Sequence, residues 1–95
     1  MIIRLELEMG VERWLIEVPD EVALSAKKHQ KKFLNFVYKA KNGFYNGGGV
    51  CFGLADFVKW LDEYILKKSV TKAKVVSTND QKLFDEKNDC PTLYF

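Results

Sequence analysis

The feature that most constrains this chain is a strict alternation of apolar and charged residues near its amino terminus. One side of the pattern is apolar and the other is charged: Ile3, Leu5, Leu7 and Met9 against Arg4, Glu6 and Glu8. Because successive side chains of a strand point to opposite faces, the pattern predicts a strand with one buried face. A second alternation follows Gly10 and ends at Pro19. The two segments are therefore predicted to pair as an antiparallel hairpin.

Two segments in the middle of the chain have the spacing of amphipathic helices. The first covers residues 22–40, follows the acidic pair Asp20 and Glu21, and exits at Asn42 and Gly43. The second covers residues 54–68 and carries an apolar stripe on one side. Each helix has an apolar face that needs a partner, and so does the hairpin. Helices packed on one face of an antiparallel sheet would bury all three.

The C-terminal part of the chain has weaker patterns. Residues 73–78 predict a third strand, and residues 79–89 predict a loop or a short helix near 82–86. Residues 90–95 predict a final edge strand, because Pro91 is tolerated only at an edge or at a strand start. We therefore expect one compact α+β domain over residues 1–95. Its predicted architecture is a two-layer sandwich of order ββααβ(β), with both helices on one face.

The composition limits the classes of protein to which the chain can belong. With 95 residues, of which 47% are hydrophobic, it can form a single core. A net charge of +2 is too small for a surface given over entirely to nucleic acid. No secretory leader or membrane span is expected. Cys51 and Cys90 have no metal-ligand spacing, so we interpret them as free thiols in a reducing cytoplasm, with a disulfide between them left open.

The glycine-rich stretch around Cys51 suggests a possible enzyme. The segment GGGVCFGLADFVKWL, residues 47–61, resembles the nucleophile segment of papain-like cysteine proteases. The resemblance implies a nucleophilic Cys51 at a helix start and a histidine later in the chain. The only histidine is His29, which precedes Cys51. A cysteine hydrolase would therefore have to pair Cys51 with His29, and otherwise the loop is a connector between the helices.

A run of lysines on the first helix is the main candidate binding feature. The segment KKHQKK holds Lys27, Lys28, Lys31 and Lys32, and Lys39 extends the positive charge toward Phe44 and Tyr45. Lysines release counterions from phosphates and aromatic rings stack on bases, so the set could bind nucleic acid. It could also dock on an acidic protein, or it could be a solvated helix face.

The sequence as a whole favours a small protein that acts by contact and has no catalytic set. We expect an inhibitor, immunity or accessory protein of the kind that phages and mobile elements encode, with an acidic protein as its partner. Nucleic-acid binding through the lysines and a cysteine hydrolase are the alternatives. No cofactor or metal is expected, because a site made from His29, Cys51 and Cys90 would have only three ligands.

Overall fold

The computed structural model describes residues 1–7, 12–79 and 90–95 of the chain. The strands are β1 (Ile2–Leu7), β2 (Glu12–Glu17), β3 (Tyr45–Asn46), β4 (Gly49–Val50), β5 (Lys74–Thr78) and β6 (Thr92–Tyr94). The helices are α1 (Asp20–Leu24), α2 (Ala26–Val37) and α3 (Leu54–Trp60). A 3₁₀ turn at Ala40–Asn42 follows α2, and a π-helical segment at Leu61–Ile65 continues α3. None of the helices in the described ranges is long and apolar enough to cross a bilayer.

The main sheet has the strand order β5-β2-β1-β6 within the described part of the chain. β1 pairs antiparallel with β2, so that Ile3 lies opposite Ile16 and Leu5 opposite Trp14. β5 joins β2 antiparallel, and β6 joins β1 parallel. The predicted hairpin pairing and both predicted C-terminal strands are confirmed. The expected turn at Gly10 and the expected short helix near 82–86 lie outside the described residues.

The core lies between this sheet and the helices, as the sequence predicts. Ile3, Leu5 and Ile16 from the sheet are buried in one cluster with side chains of all three helices. Phe33 of α2 is the most connected aromatic residue of the cluster, with ring centroids of Phe57 and Trp60 at 5.3 and 5.8 Å. The predicted α+β arrangement, with the helices in the middle of the chain and the C-terminal strands completing the sheet, is confirmed.

The first predicted helix is divided in two at Ser25. This residue has φ −111° and ψ 24°, and its N–H donates to the carbonyl oxygen of Val22 at 3.2 Å. This hydrogen bond joins residues three apart, whereas those of an α-helix join residues four apart, so the turn is tighter. Serine is a weaker helix former than alanine or leucine and accepts such a break at little cost. The division lets α1 bury Val22 and Ala23 while α2 buries Phe33 and Val37.

The second predicted helix changes its winding after Trp60. The N–H of Leu66 donates to the carbonyl oxygen of Leu61 at 2.7 Å, five residues back, which is the π-helical spacing. Both leucines are buried at the two ends of this turn. The wider turn therefore keeps two apolar side chains in the core, and the helical structure ends at Ile65 rather than near residue 68.

The glycine-rich connector contains a short hairpin. β3 pairs antiparallel with β4, so that Tyr45 lies opposite Val50. Gly47 and Gly48 join the strands with φ values of 61° and 86°. Two consecutive positive φ angles define the turn that best matches the twist of a two-residue hairpin. A Cβ at either position would meet no atom within 4 Å, so space does not require glycine there. The positive φ angles do.

Replacing Gly48 by alanine is expected to lower the free energy of unfolding by about 1 kcal/mol, through backbone strain alone. Gly49→Ala is the matched control, because Gly49 has no positive φ and equally open surroundings. That variant should be neutral or slightly more stable. Urea denaturation gives the free energy of unfolding of each variant. Equal losses in Gly48→Ala and Gly49→Ala would show that the turn does not require glycine at residue 48.

Candidate functional site

The four clustered lysines form an exposed positive surface on the first half of α2. Lys27, Lys28, Lys31 and Lys32, which we call the lysine face, all have exposed side chains. α2 contains no acidic residue. Within the described ranges, none of the four lysines forms an ion pair or a side-chain hydrogen bond. Their charges are therefore available to another molecule.

An open cleft lies directly beside the lysine face. It has a volume of ≈ 670 Å³ and lies between the α1–α2 junction and the last strand. Lys27 and Lys28 line it together with Leu24, Pro91 and Leu93. Leu24 is 79% exposed and adds apolar surface to the wall of the cleft. The cleft thus combines an apolar wall with a positively charged rim.

Strand β6 forms the far wall of this cleft and is tied to α2. The side-chain amide of Gln30 donates to the carbonyl oxygen of Tyr94 at 2.6 Å. On its other side β6 is held to β1, where the N–H of Phe95 donates to the carbonyl oxygen of Glu6 at 2.8 Å. The two walls therefore have a fixed separation.

The remaining predicted binding residues lie at the other end of α2. Lys39 is exposed beyond the end of the helix, and the hydroxyl of Tyr45 donates to the carbonyl oxygen of Tyr38 at 2.7 Å. Phe44 is half-buried against Phe36, with ring centroids 5.8 Å apart. Twelve helical residues rise by about 18 Å. The structure thus places Lys39, Phe44 and Tyr45 at a separate end from the lysine face.

Cys51 is exposed, but it lies before α3 rather than at its first turn. Its N–H donates to the carbonyl oxygen of Phe44 at 2.8 Å. The residue that caps α3 is Gly53, whose N–H donates to the Asp56 carboxylate at 2.8 Å. Cys51 therefore lies three residues before Leu54, the first residue of α3, and not at the helix start that the resemblance implies.

His29 lies in a different environment from Cys51. It lines a cavity of ≈ 330 Å³ with Glu21 and Ser69, and the apolar wall includes Ile65 and Leu66 at the far end of the α3 segment. Cys51 does not line this cavity, and no hydrogen bond joins the two residues in the described structure. The structure therefore does not bring the predicted catalytic pair together.

The environment of His29 opposes its protonation. Burial lowers the pKa of His29, and the positive charges of Lys32 and Lys28 lower it further. Its Nδ1 atom is buried without a hydrogen-bond partner in the described residues. An imidazolium would add a second N–H donor at that position, where the described part of the chain offers no acceptor.

The lowered pKa of His29 predicts a loss of stability in mild acid. The folded state disfavours the protonated imidazole, so the unfolded chain binds more protons as the pH falls below about 6.5. The stabilising effect of the neutral ring is complete above that pH and is lost as the pH falls through the folded pKa. We expect the urea midpoint to fall between pH 7.5 and 5.5 in the native chain and to fall less in His29→Gln. Equal falls in the two proteins would contradict this.

Neither cysteine takes part in a disulfide or in a metal cluster of the described residues. Cys51 and Cys90 are both free, the first exposed and the second half-buried. Over residues 1–7, 12–79 and 90–95, no group of three or more histidine, cysteine or acidic side chains could hold a metal ion.

The sequence does not predict the cleft that lies beside the lysine face. Its pattern predicts Leu24 within a continuous helix and residues 90–95 as an edge strand, with no cleft between them. The apolar Leu24 directly before the weak helix former Ser25 was the available signal. Comparison of the chain with protein-family models, with curated proteins and with solved structures found no significant match.

Proposed function

We propose that the protein is a non-enzymatic binding module that docks on the acidic surface of another protein through the lysine face and the adjoining cleft. The observation that carries the proposal is a set of four exposed lysines, unpaired within the described ranges, next to an exposed leucine. The proposed roles are those of an inhibitor, immunity or accessory protein. Cytoplasmic action is part of the same proposal and fits two free thiols.

The arrangement has the two components of a protein interface. Stable interfaces have an apolar centre, where a few anchoring side chains supply most of the binding energy, and a polar rim. Leu24 and Pro91 would form the centre. Lys27 and Lys28 would form the rim and attract acidic residues of the partner.

The position of the lysines supports a role in binding rather than in stability. Lys27 and Lys28 lie in the first turn of α2. Cations are unfavourable there, because the N-terminal end of a helix dipole is already positive. A helix surface selected only for stability would favour acidic residues at these positions, as in the first turn of α1 with Asp20 and Glu21.

The proposal is tested by capture of a partner from cells of the source organism. The native chain should retain one stoichiometric protein with an acidic surface. The double variant Lys27→Glu/Lys31→Glu should lose it. The matched control Lys68→Glu/Lys74→Glu changes the net charge equally at exposed sites away from α2 and from the cleft, and should retain it. Failure to capture any partner, or equal capture by both variants, would overturn the proposal.

Nucleic-acid binding is the second candidate, because phosphates could be neutralised by the same four lysines. A gel-shift assay at low salt, with duplex DNA and single-stranded RNA, separates the two candidates. Under the protein-docking proposal the native chain gives no shift. A salt-sensitive shift that disappears when the four lysines are replaced by glutamate would establish the nucleic-acid function instead.

Cys51 is expected to react with an electrophile no faster than free cysteine at neutral pH. The reason is that His29 lines a separate cavity and Asp56 already caps the helix near the thiol. Iodoacetamide labelling followed by mass spectrometry gives the rate, with Cys90 as an internal reference. Labelling of Cys51 many times faster than free cysteine would revive the hydrolase hypothesis.

A further inference from the structure

We propose that a second site on this protein, independent of the lysine face, binds a trimethylammonium group. We call it the aromatic pocket. It is a cavity of ≈ 180 Å³ between the end of α2, the 3₁₀ turn and the α3 segment. Four aromatic rings and two carboxylates line it: Phe36, Phe44, Trp60, Tyr64, Asp56 and Glu63.

The aromatic rings form a connected wall. The centroids of Phe36 and Phe44 are 5.8 Å apart, and those of Phe36 and Tyr64 are 5.2 Å apart. Trp60 and Tyr64 are separated by 6.2 Å, with their planes at 31°. A cation inside such a wall can lie within about 6 Å of several ring centroids, which is the range of the cation–π attraction.

The wall has a buried floor and an open rim. Trp60 is 6% exposed and Tyr64 is 56% exposed. Trp60 would therefore shield a bound trimethylammonium group from water. The rest of the ligand would extend into solvent past Tyr64. Loss of water strengthens the attraction between a cation and an aromatic ring.

The charged groups at the pocket favour a cation. Asp56 and Glu63 are negative, and among the described residues Lys59 is the one cationic side chain that lines the cavity. The Lys59 Nζ atom lies 4.0 Å from Glu63 Oε1, and both side chains are more than half exposed. An exposed ion pair of this kind contributes little free energy, so a ligand cation can replace Lys59 beside Glu63. One oxygen of Asp56 accepts the N–H of Gly53 at 2.8 Å, which holds the carboxylate in place.

The size of the pocket selects a compact group. Sites for drug-sized ligands usually measure about 300–1,000 Å³, so this cavity can hold only the head of a larger molecule. A neutral head would leave the net negative charge of Asp56, Glu63 and Lys59 uncompensated. A bare metal ion needs oxygen, nitrogen or sulfur ligands rather than ring faces. An ammonium group that carries methyl groups combines positive charge with apolar surface. The charge suits the carboxylates, and the methyl groups suit the aromatic rings.

The test titrates choline chloride into the isotopically labelled protein, with sodium chloride at matched ionic strength as the blank. The indole N–H signal of Trp60 reports on the pocket, and that of Trp14, which lies in β2 opposite Leu5, is the internal control. We expect a saturable shift of the Trp60 signal alone. The neutral isostere 3,3-dimethylbutan-1-ol should give none. No saturable shift with either choline or a trimethyllysine peptide, or an equal response to the isostere, would overturn the proposal.

Variants at the exposed rim separate binding from folding. Tyr64→Phe keeps the ring and should bind choline as the native chain does, whereas Tyr64→Leu should bind about tenfold more weakly. Glu63→Gln should also weaken binding. Tyr94→Leu alters an exposed tyrosine outside the pocket and should change nothing. Equal affinity of Tyr64→Leu and Tyr64→Phe would contradict a cation–π site.

The trimethylammonium group could come from a small molecule or from a trimethylated lysine of another protein. Titration with a short peptide carrying trimethyllysine, against the same peptide with unmodified lysine, separates these sources. Tighter binding of the modified peptide than of choline assigns the site to a protein ligand, and the reverse assigns it to a small molecule. Absence of binding by both probes refutes the site.

Discussion

Replacing Phe33 by alanine is expected to lower the free energy of unfolding by about 3–5 kcal/mol. Phe33 is 0% exposed, and it lies where four other rings meet. Its ring centroid is 5.3 Å from those of Phe52 and Phe57, 5.8 Å from that of Trp60 and 6.1 Å from that of Phe95. Small domains have a total stability of about 5–15 kcal/mol. Removal of this one ring would therefore leave the protein barely folded, as urea denaturation would record.

Two further variants keep this prediction testable if Phe33→Ala does not fold. Phe33→Leu fills most of the space and should cost less than about 1.5 kcal/mol. Leu24→Ala removes a large side chain that is 79% exposed and should change stability by less than about 0.5 kcal/mol. A loss below about 1 kcal/mol for Phe33→Ala would mean that the aromatic cluster is not the centre of the core.

Reversal of all four charges of the lysine face is expected to weaken the complex with the captured partner about 100-fold or more. Like charges brought together across an interface cost several kcal/mol, whereas loss of one exposed ion pair costs little. Single lysine-to-alanine variants should therefore have only small effects. Isothermal titration calorimetry with the purified partner gives the dissociation constants, and the native complex should weaken with added salt.

The quadruple variant should remain folded, because glutamates at residues 27 and 28 would complement the helix dipole in the first turn of α2. Circular dichroism and the thermal midpoint check this directly. A folded quadruple variant that binds within about threefold of the native chain would remove the lysine face from the interface.

The elements that sequence analysis predicted are those fixed by local periodicity. The alternation at Ile3 and Leu5 predicts a buried sheet face, and both side chains are fully buried. Residues 73–78 were predicted as a strand, and β5 runs over Lys74–Thr78. Pro91 correctly indicated that the last strand lies at an edge, because its nitrogen has no hydrogen to donate to a neighbouring strand.

The features that sequence analysis did not predict depend on contacts between segments that are distant in the sequence. The break at Ser25 lets α1 and α2 bury different faces, and a serine alone is too weak a helix breaker to predict it. The cleft depends on the parallel pairing of β6 with β1, which makes Pro91 a lining residue of the same cleft as Lys28. The aromatic pocket gathers rings from three segments, and only the four-residue spacing of Trp60 and Tyr64 was visible in the sequence.

The most direct test of the proposed docking surface is a footprint of the bound protein. Backbone amide signals of the labelled chain are recorded with and without the captured partner. We predict the largest changes at residues 24–32 and 91–93, around the lysine face and the cleft. Changes confined to β5 or to the hairpin before Cys51, with α2 unaffected, would contradict the central claim.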